Sequence, residues 1–161
     1  MTEIDVRIVK LEPMRVATAL GFGEQPEMLA WNKLLAWAKP LGLLDDLKAT
    51  RFFGFNNPDP SPGSPNYGYE QWIVVGADVK ASGDIKIKDF DGGLYAVTRC
   101  TLSNIGETWK QLVLWLEDSK YHKAHHQWLE GTVKPELIIT PEGSMVENFE
   151  AELDLYLPIA E

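Results

Sequence analysis

The sequence predicts an α+β fold. Two β-α-β-β units form one mostly antiparallel sheet, with helices on one side and a ligand cleft between the halves. Three observations lead there. First, Trp31–Trp37 and Trp109–Trp115 share the pattern W-x-x-L-x-x-W, 78 positions apart in a chain of 161 residues. Second, each pattern sits in an amphipathic stretch that follows one strand-like run and precedes two more. Third, each predicted unit has an apolar sheet face that one helix can cover. The length suits one domain over 1–161, with pseudo-repeats over about 1–78 and 90–161.

Taken in order, Ile4, Val6 and Ile8 alternate with charged neighbours as a short strand, which Val16 to Leu20 continues after Pro13. Gly21, Gly23 and Pro26 mark a break. From Pro26 to Lys39, Leu29, Trp31, Leu34, Leu35 and Trp37 fit an amphipathic helix, which Pro40 and Gly42 stop. Arg51 to Phe55 is a short aromatic strand, and 56–66 is a turn-rich loop. Tyr67 to Val75 is the clearest strand. Tyr67, Tyr69, Gln71, Ile73 and Val75 lie on one face, Glu70, Trp72 and Val74 on the other. The order then repeats. A strand over 94–102 follows the Asp91-Gly92-Gly93 turn, and a capped helix runs from Asn104 to about Ser119. A strand over 126–132, a loop over 134–144 and a closing strand over 147–158 complete the unit.

Composition removes several function classes. The formal net charge is −9, with no Lys/Arg run, so direct nucleic-acid binding is not expected. An acidic chain attracts cationic ligands or serves solubility. Cys100 is the single cysteine, which excludes an intrachain disulfide and fits a reducing cytoplasm. It reads as a small buried side chain. The N-terminus carries no signal-peptide pattern, and no window approaches the ~18 apolar residues of a membrane span. Walker, nucleophile-elbow, Rossmann and zinc-finger patterns are missing, and no cofactor is expected. His122 and His126 have the spacing of two zinc ligands on a helical turn, but no third ligand accompanies them, so no metal is expected.

Two carboxylates stand out. Glu70 lies mid-strand among Tyr69, Gln71 and Trp72, either facing water or buried with a partner. Glu130 follows Trp128 and shares its strand face. It is either a surface residue at a strand end or an acid beside an indole in a dry cleft. There it could pair with a ligand cation, aided by cation–π attraction, or act as general acid or base with a raised pKa. Of the strand aromatics, Phe52, Phe53, Phe55, Tyr67, Tyr69, Trp72, Tyr95 and Trp128, a minority is expected to line a pocket.

Several segments together carry a family resemblance. They are Trp31–Trp37, Phe53-Gly54-Phe55-Asn56-Asn57-Pro58, Tyr69–Val75, Gly92–Val97 and Glu152–Ile159. In this order and spacing the chain resembles the GyrI-like small-molecule-binding family, which includes the effector-binding domains of Rob-type and BmrR-type transcription regulators. The resemblance covers essentially the whole chain. It implies a pocket between duplicated halves with a buried glutamate, and Trp128-Leu129-Glu130 matches the segment that supplies it. Thr132 stands where relatives carry an aromatic residue. The resemblance starts within the first ten residues, so no preceding DNA-binding module is expected.

The expected function is therefore binding or sequestration of an aromatic or cationic small molecule. Glu130 is the charged group, Glu70 a second acid, and Phe53, Tyr69, Trp72, Tyr95 and Trp128 are candidate walls. Two alternatives stay open. One is hydrolysis of cyclopropane-bearing electrophilic toxins with Glu130, or Glu70, as general base on a bound water. The other is an acidic protein-binding inhibitor of a DNA-manipulating enzyme.

Overall fold

A computed structural model describes residues 4–57 and 66–161. Its elements are β1 (Arg7–Leu11), β2 (Met14–Gly23), α1 (Pro26–Ala38), β3 (Phe52–Asn56), β4 (Tyr67–Val74), β5 (Lys86–Phe90), β6 (Gly93–Thr101), α2 (Ile105–Glu117), β7 (His122–Lys123), β8 (Leu129–Thr132) and β9 (Glu152–Ala160). The order β2-α1-β3-β4 recurs as β6-α2-β8-β9, so the β-α-β-β duplication and the α+β class both hold.

All strand pairs are antiparallel, in the order β1-β6-β9-β8-β3-β4-β2-β5, with β7 added to β9. The two units meet at β3 and β8. This order forces curvature. β1 and β2 stand six places apart, about 29 Å across a flat sheet at the usual strand spacing. Yet only Glu12 and Pro13 join them, and a link that short spans about 10 Å. β5 and β6 are likewise joined by Asp91 and Gly92 alone. The sheet therefore curls until its two ends approach. At the crossing, Gly92 adopts φ 80°, and a Cβ there would lie 2.9 Å from the Glu12 carbonyl carbon. Both constraints call for glycine.

The curl makes two environments. Inside it, Leu11, Met14, Val16, Phe53, Phe55, Trp72, Phe90, Tyr95, Val97 and Leu129 form one core. The helices cover the outer face. α1 packs Trp31, Leu34 and Leu35 on Ala17, Phe52 and Ile73, while α2 packs Leu112 and Leu116 on Ala96, Leu155 and Leu157. The repeated motif has a physical reason: its central leucines, Leu34 and Leu112, are the helix–sheet contact points, each 0% exposed. Leu34→Ala and Leu112→Ala should each lower unfolding free energy by about 2–5 kcal/mol, read by urea denaturation.

Some boundaries differ from the sequence reading. The strand expected to continue from Ile8 into Val16–Leu20 is two strands at distant places in the sheet, because Pro13 falls at the crossing. β5 was not anticipated, its Lys86-Ile87-Lys88-Asp89 run being too polar to read as a strand. The strand expected from His126 begins at Leu129. The closing strand begins at Glu152 rather than Glu147, which leaves Phe149 in the preceding loop. Most of the loop expected over 56–66 lies outside the described residues. No helix among the described residues is long and apolar enough to cross a membrane.

Candidate functional site

One row of the sheet, running under the gap between the helices, builds the site. Across strands β2, β4, β3, β8 and β9 it reads Ala19, Gln71, Gly54, Glu130 and Leu155. Gly54 contributes no side chain, so a hollow opens between Gln71 and Glu130. A Cβ at Gly54 would lie 2.6 Å from Tyr69 Cε2 and 2.7 Å from Gln71 Oε1. The Tyr69 ring fills part of this hollow and donates its hydroxyl to Glu130 Oε1 at 2.8 Å. From α2, Trp109 Nε1 donates to Glu130 Oε2 at 3.2 Å. Two residues along β4, the Tyr67 hydroxyl donates to Glu27 on the first turn of α1.

Above this floor lies a cleft of about 650 Å³, within the usual range for small-molecule sites. Met28 and Trp31 of α1, Ile105 and Trp109 of α2, and Val146 and Phe149 of the 133–151 connection form its walls. A side recess of about 380 Å³ shares Asn56, Trp109 and Glu130 with it and adds Phe55, Gln127 and Trp128. There the Trp109 and Trp128 rings lie 5.3 Å apart.

The electrostatics are one-sided. Glu24, Glu27, Glu130 and Glu147 line the main cleft, and among the described residues no Lys or Arg does. Burial pushes the Glu130 carboxyl above its ordinary value near 4.5; the Tyr69 and Trp109 hydrogen bonds oppose this, and the charge of Glu27 adds to it. Burial and the neighbouring Glu130 charge hold the Tyr69 hydroxyl well above the normal phenol range, so it remains a donor. Among the described residues, no basic side chain forms an ion pair with Glu130 or Glu27.

The structure thus brings Glu130 and Tyr69 together in the main cleft and Trp128 beside them in the recess. It places Phe53, Trp72, Tyr95 and Glu70 inside the curl, on the other face of the sheet. Glu70 is 4% exposed and fully engaged there: Trp72 Nε1 at 2.7 Å, Asn57 Nδ2 at 3.0 Å and Lys88 Nζ at 2.7 Å all meet its carboxylate. Glu27, Trp109, Gln71 and Gly54 were not among the candidate site residues, and Tyr67 stood only in the wider set of strand aromatics. The usable signal was the alternation of Tyr67, Tyr69 and Gln71 on one strand face, since all three reach the cleft. The histidine spacing loses its meaning because residues 122–126 form a short strand and a bend, not a helix. His126 Nε2 instead lies 2.9 Å from the Leu94 carbonyl oxygen, and no metal-capable cluster of three exists among the described residues. Cys100 is buried against the α2 core, and burial lifts its thiol to about 12.

A curled sheet, two helices on its outer face and an acidic cleft between them define a small-molecule effector-binding domain. The chain matches the Cass2 profile, described as integron-associated effector binding protein, over residues 7–159. It belongs to that family, in keeping with the GyrI-like resemblance. No curated protein matches it by sequence. Among solved structures it is similar to the EcmrR C-terminal domain, at 12% identity and TM-score 0.67, covering 99% of each chain. A hydrolase from Listeria innocua is similar at 12% identity and TM-score 0.67, with 99% of this chain and 94% of that one covered. The integron cassette protein VCH_CASS2 from Vibrio cholerae gives 8% identity and TM-score 0.51, covering 96% and 95%. The chain spans only 57% of EcmrR in its DNA complex. At these identities the likenesses establish the fold.

Proposed function

We propose that the chain binds an aromatic cation in the cleft between α1 and α2, with Glu130 as its charge partner. The observation that carries this reading is a half-buried carboxylate, held in direction by Tyr69 and Trp109, that faces a cleft lined, among the described residues, by four glutamates and no basic residue. An ionised carboxylate removed from water is costly unless a cation or several donors compensate it. Two donors already fix its direction, and a ligand cation supplies the missing charge. Trp31, Trp109, Tyr67 and Tyr69 give the cation aromatic surfaces, worth about 0.5–2 kcal/mol each where a ring face meets it.

Isothermal titration calorimetry with ethidium, a permanently charged aromatic cation, and with an uncharged phenanthridine tests this. Micromolar binding of ethidium is expected, about −8 kcal/mol, with the neutral ring weaker by tenfold or more. The pH dependence has a definite sign. Glu130 must be ionised to attract the cation, and its pKa is raised. Ethidium affinity should therefore fall as pH drops through that raised value. Equal affinity for the neutral ring, or a flat pH profile, would sink the assignment.

A further inference from the structure

We infer that the cleft takes a ligand with two cationic groups, one held at Glu130 and the other at Glu27; this rests on the cation-binding reading above. Strand β4 sets the geometry. Tyr67 and Tyr69 stand on one face two residues apart, a step of roughly 7 Å along a strand. Each phenol donates to a different carboxylate, Tyr67 to Glu27 and Tyr69 to Glu130. The two acids come from different elements, Glu27 from the α1 wall and Glu130 from the β8 floor, so the cleft carries two separate negative centres. Each is oriented by a tyrosine that stays protonated, because burial and the carboxylate beside it hold both phenols above their ordinary range.

Each carboxylate keeps open acceptor positions. A carboxylate offers about four lone-pair sites. At Glu130 two are met, by Tyr69 and Trp109, and at Glu27 one is met, by Tyr67. The two charges also sense each other, since Glu27 helps to raise the Glu130 carboxyl. A monocation at Glu130 leaves Glu27 uncompensated in the same cleft. A dication neutralises both.

Gln71 points to a ligand independently of the acids. It is 1% exposed, lines the same cleft and forms no side-chain hydrogen bond among the described residues. Buried amides are almost always paired, so an open one aimed at a cavity marks a place where a ligand group completes the bonding. It sits in the same row as Glu130, across the hollow at Gly54, with Tyr69 two residues and Tyr67 four residues away along β4.

Ethidium and propidium test the inference, because both carry the same phenanthridinium ring and propidium adds a quaternary ammonium on a three-carbon tether. Both are titrated into the full chain at low, fixed ionic strength. Propidium is expected to bind at least fivefold tighter than ethidium. Glu27→Gln should cut that ratio to below twofold, with an unchanged thermal melt as the fold control. If ethidium binds and propidium binds no tighter, the two-cation inference is overturned while the single-cation reading stands. If the advantage survives Glu27→Gln, Glu27 is not the second anchor and the inference falls. If neither dye binds, the underlying cation reading fails, and this inference with it.

Discussion

Glu130→Gln is expected to weaken ethidium binding by about tenfold to a hundredfold at neutral pH, since a hydrogen-bonded contact to a charged group contributes about 1.5–3 kcal/mol and 1.4 kcal/mol is one decade. Glutamine keeps the size and one carbonyl acceptor, so Tyr69 still finds a partner for its hydroxyl. What it loses is the charge. Binding of an uncharged phenanthridine should therefore change little, and the pH dependence of ethidium binding should disappear. The same variant has a second signature, in stability. Burial raises the Glu130 carboxyl, so the folded chain prefers the protonated form. The sign follows from linkage: for a group whose folded pKa is raised, the stability it contributes is full below the unfolded value and is lost as pH rises through the folded one. The stability difference should therefore move in favour of Glu130→Gln as pH climbs from about 4 to neutrality. Thermal melts of both proteins across that range check it. A constant offset at every pH would mean that the carboxylate is not desolvated in the folded chain.

That trade between stability and binding explains how much of the site could be read from the sequence. Glu130 drew notice because it stands two residues from Trp128 on a short strand, and strand alternation survives without knowledge of the fold. The same alternation sorted β4 correctly, with Tyr67, Tyr69 and Gln71 on the cleft side and Glu70 and Trp72 on the other. It did not say which side was which. Glu70 is as suspicious as Glu130 when only neighbours in sequence are seen. Only the pairing of β2 with β5 brings Lys88 to it and turns it into a satisfied structural acid. Glu27 was illegible for a related reason. An acid in the first turn of a helix reads as a partner for the helix dipole, and its hydrogen-bond partner, Tyr67, lies forty residues away. The duplication was legible because helix–sheet packing demands leucine at the same point of both motifs. The curl was not, because it follows from strand order, and the polar strand β5 that completes the order resembles a loop.

Gly54→Ala should harm the protein more than a single added methyl suggests, and it tests whether the hollow at the centre of the row is needed. The backbone at Gly54 is ordinary strand and pairs with both Gln71 and Glu130. Alanine fits such a backbone and should favour it by about 0.5–1 kcal/mol. Against this, its Cβ would lie 2.6 Å from Tyr69 Cε2 and 2.7 Å from Gln71 Oε1. Tyr69 is 6% exposed and Gln71 is 1% exposed, so neither can swing clear. Overpacking of this kind costs about 1–3 kcal/mol, which exceeds the backbone gain. A net loss of stability is therefore expected in urea denaturation, together with a drop of tenfold or more in ethidium affinity as the Tyr69–Glu130 hydrogen bond is displaced. The double variant Gly54→Ala with Tyr69→Phe separates the two effects. Removing the hydroxyl relieves part of the clash, so stability should partly return. Binding should not, because phenylalanine cannot hold Glu130 toward the ligand. Recovery of both would mean that the tyrosine hydroxyl fills space without orienting the acid, and the charge at Glu130 would then have to be positioned by Trp109 alone.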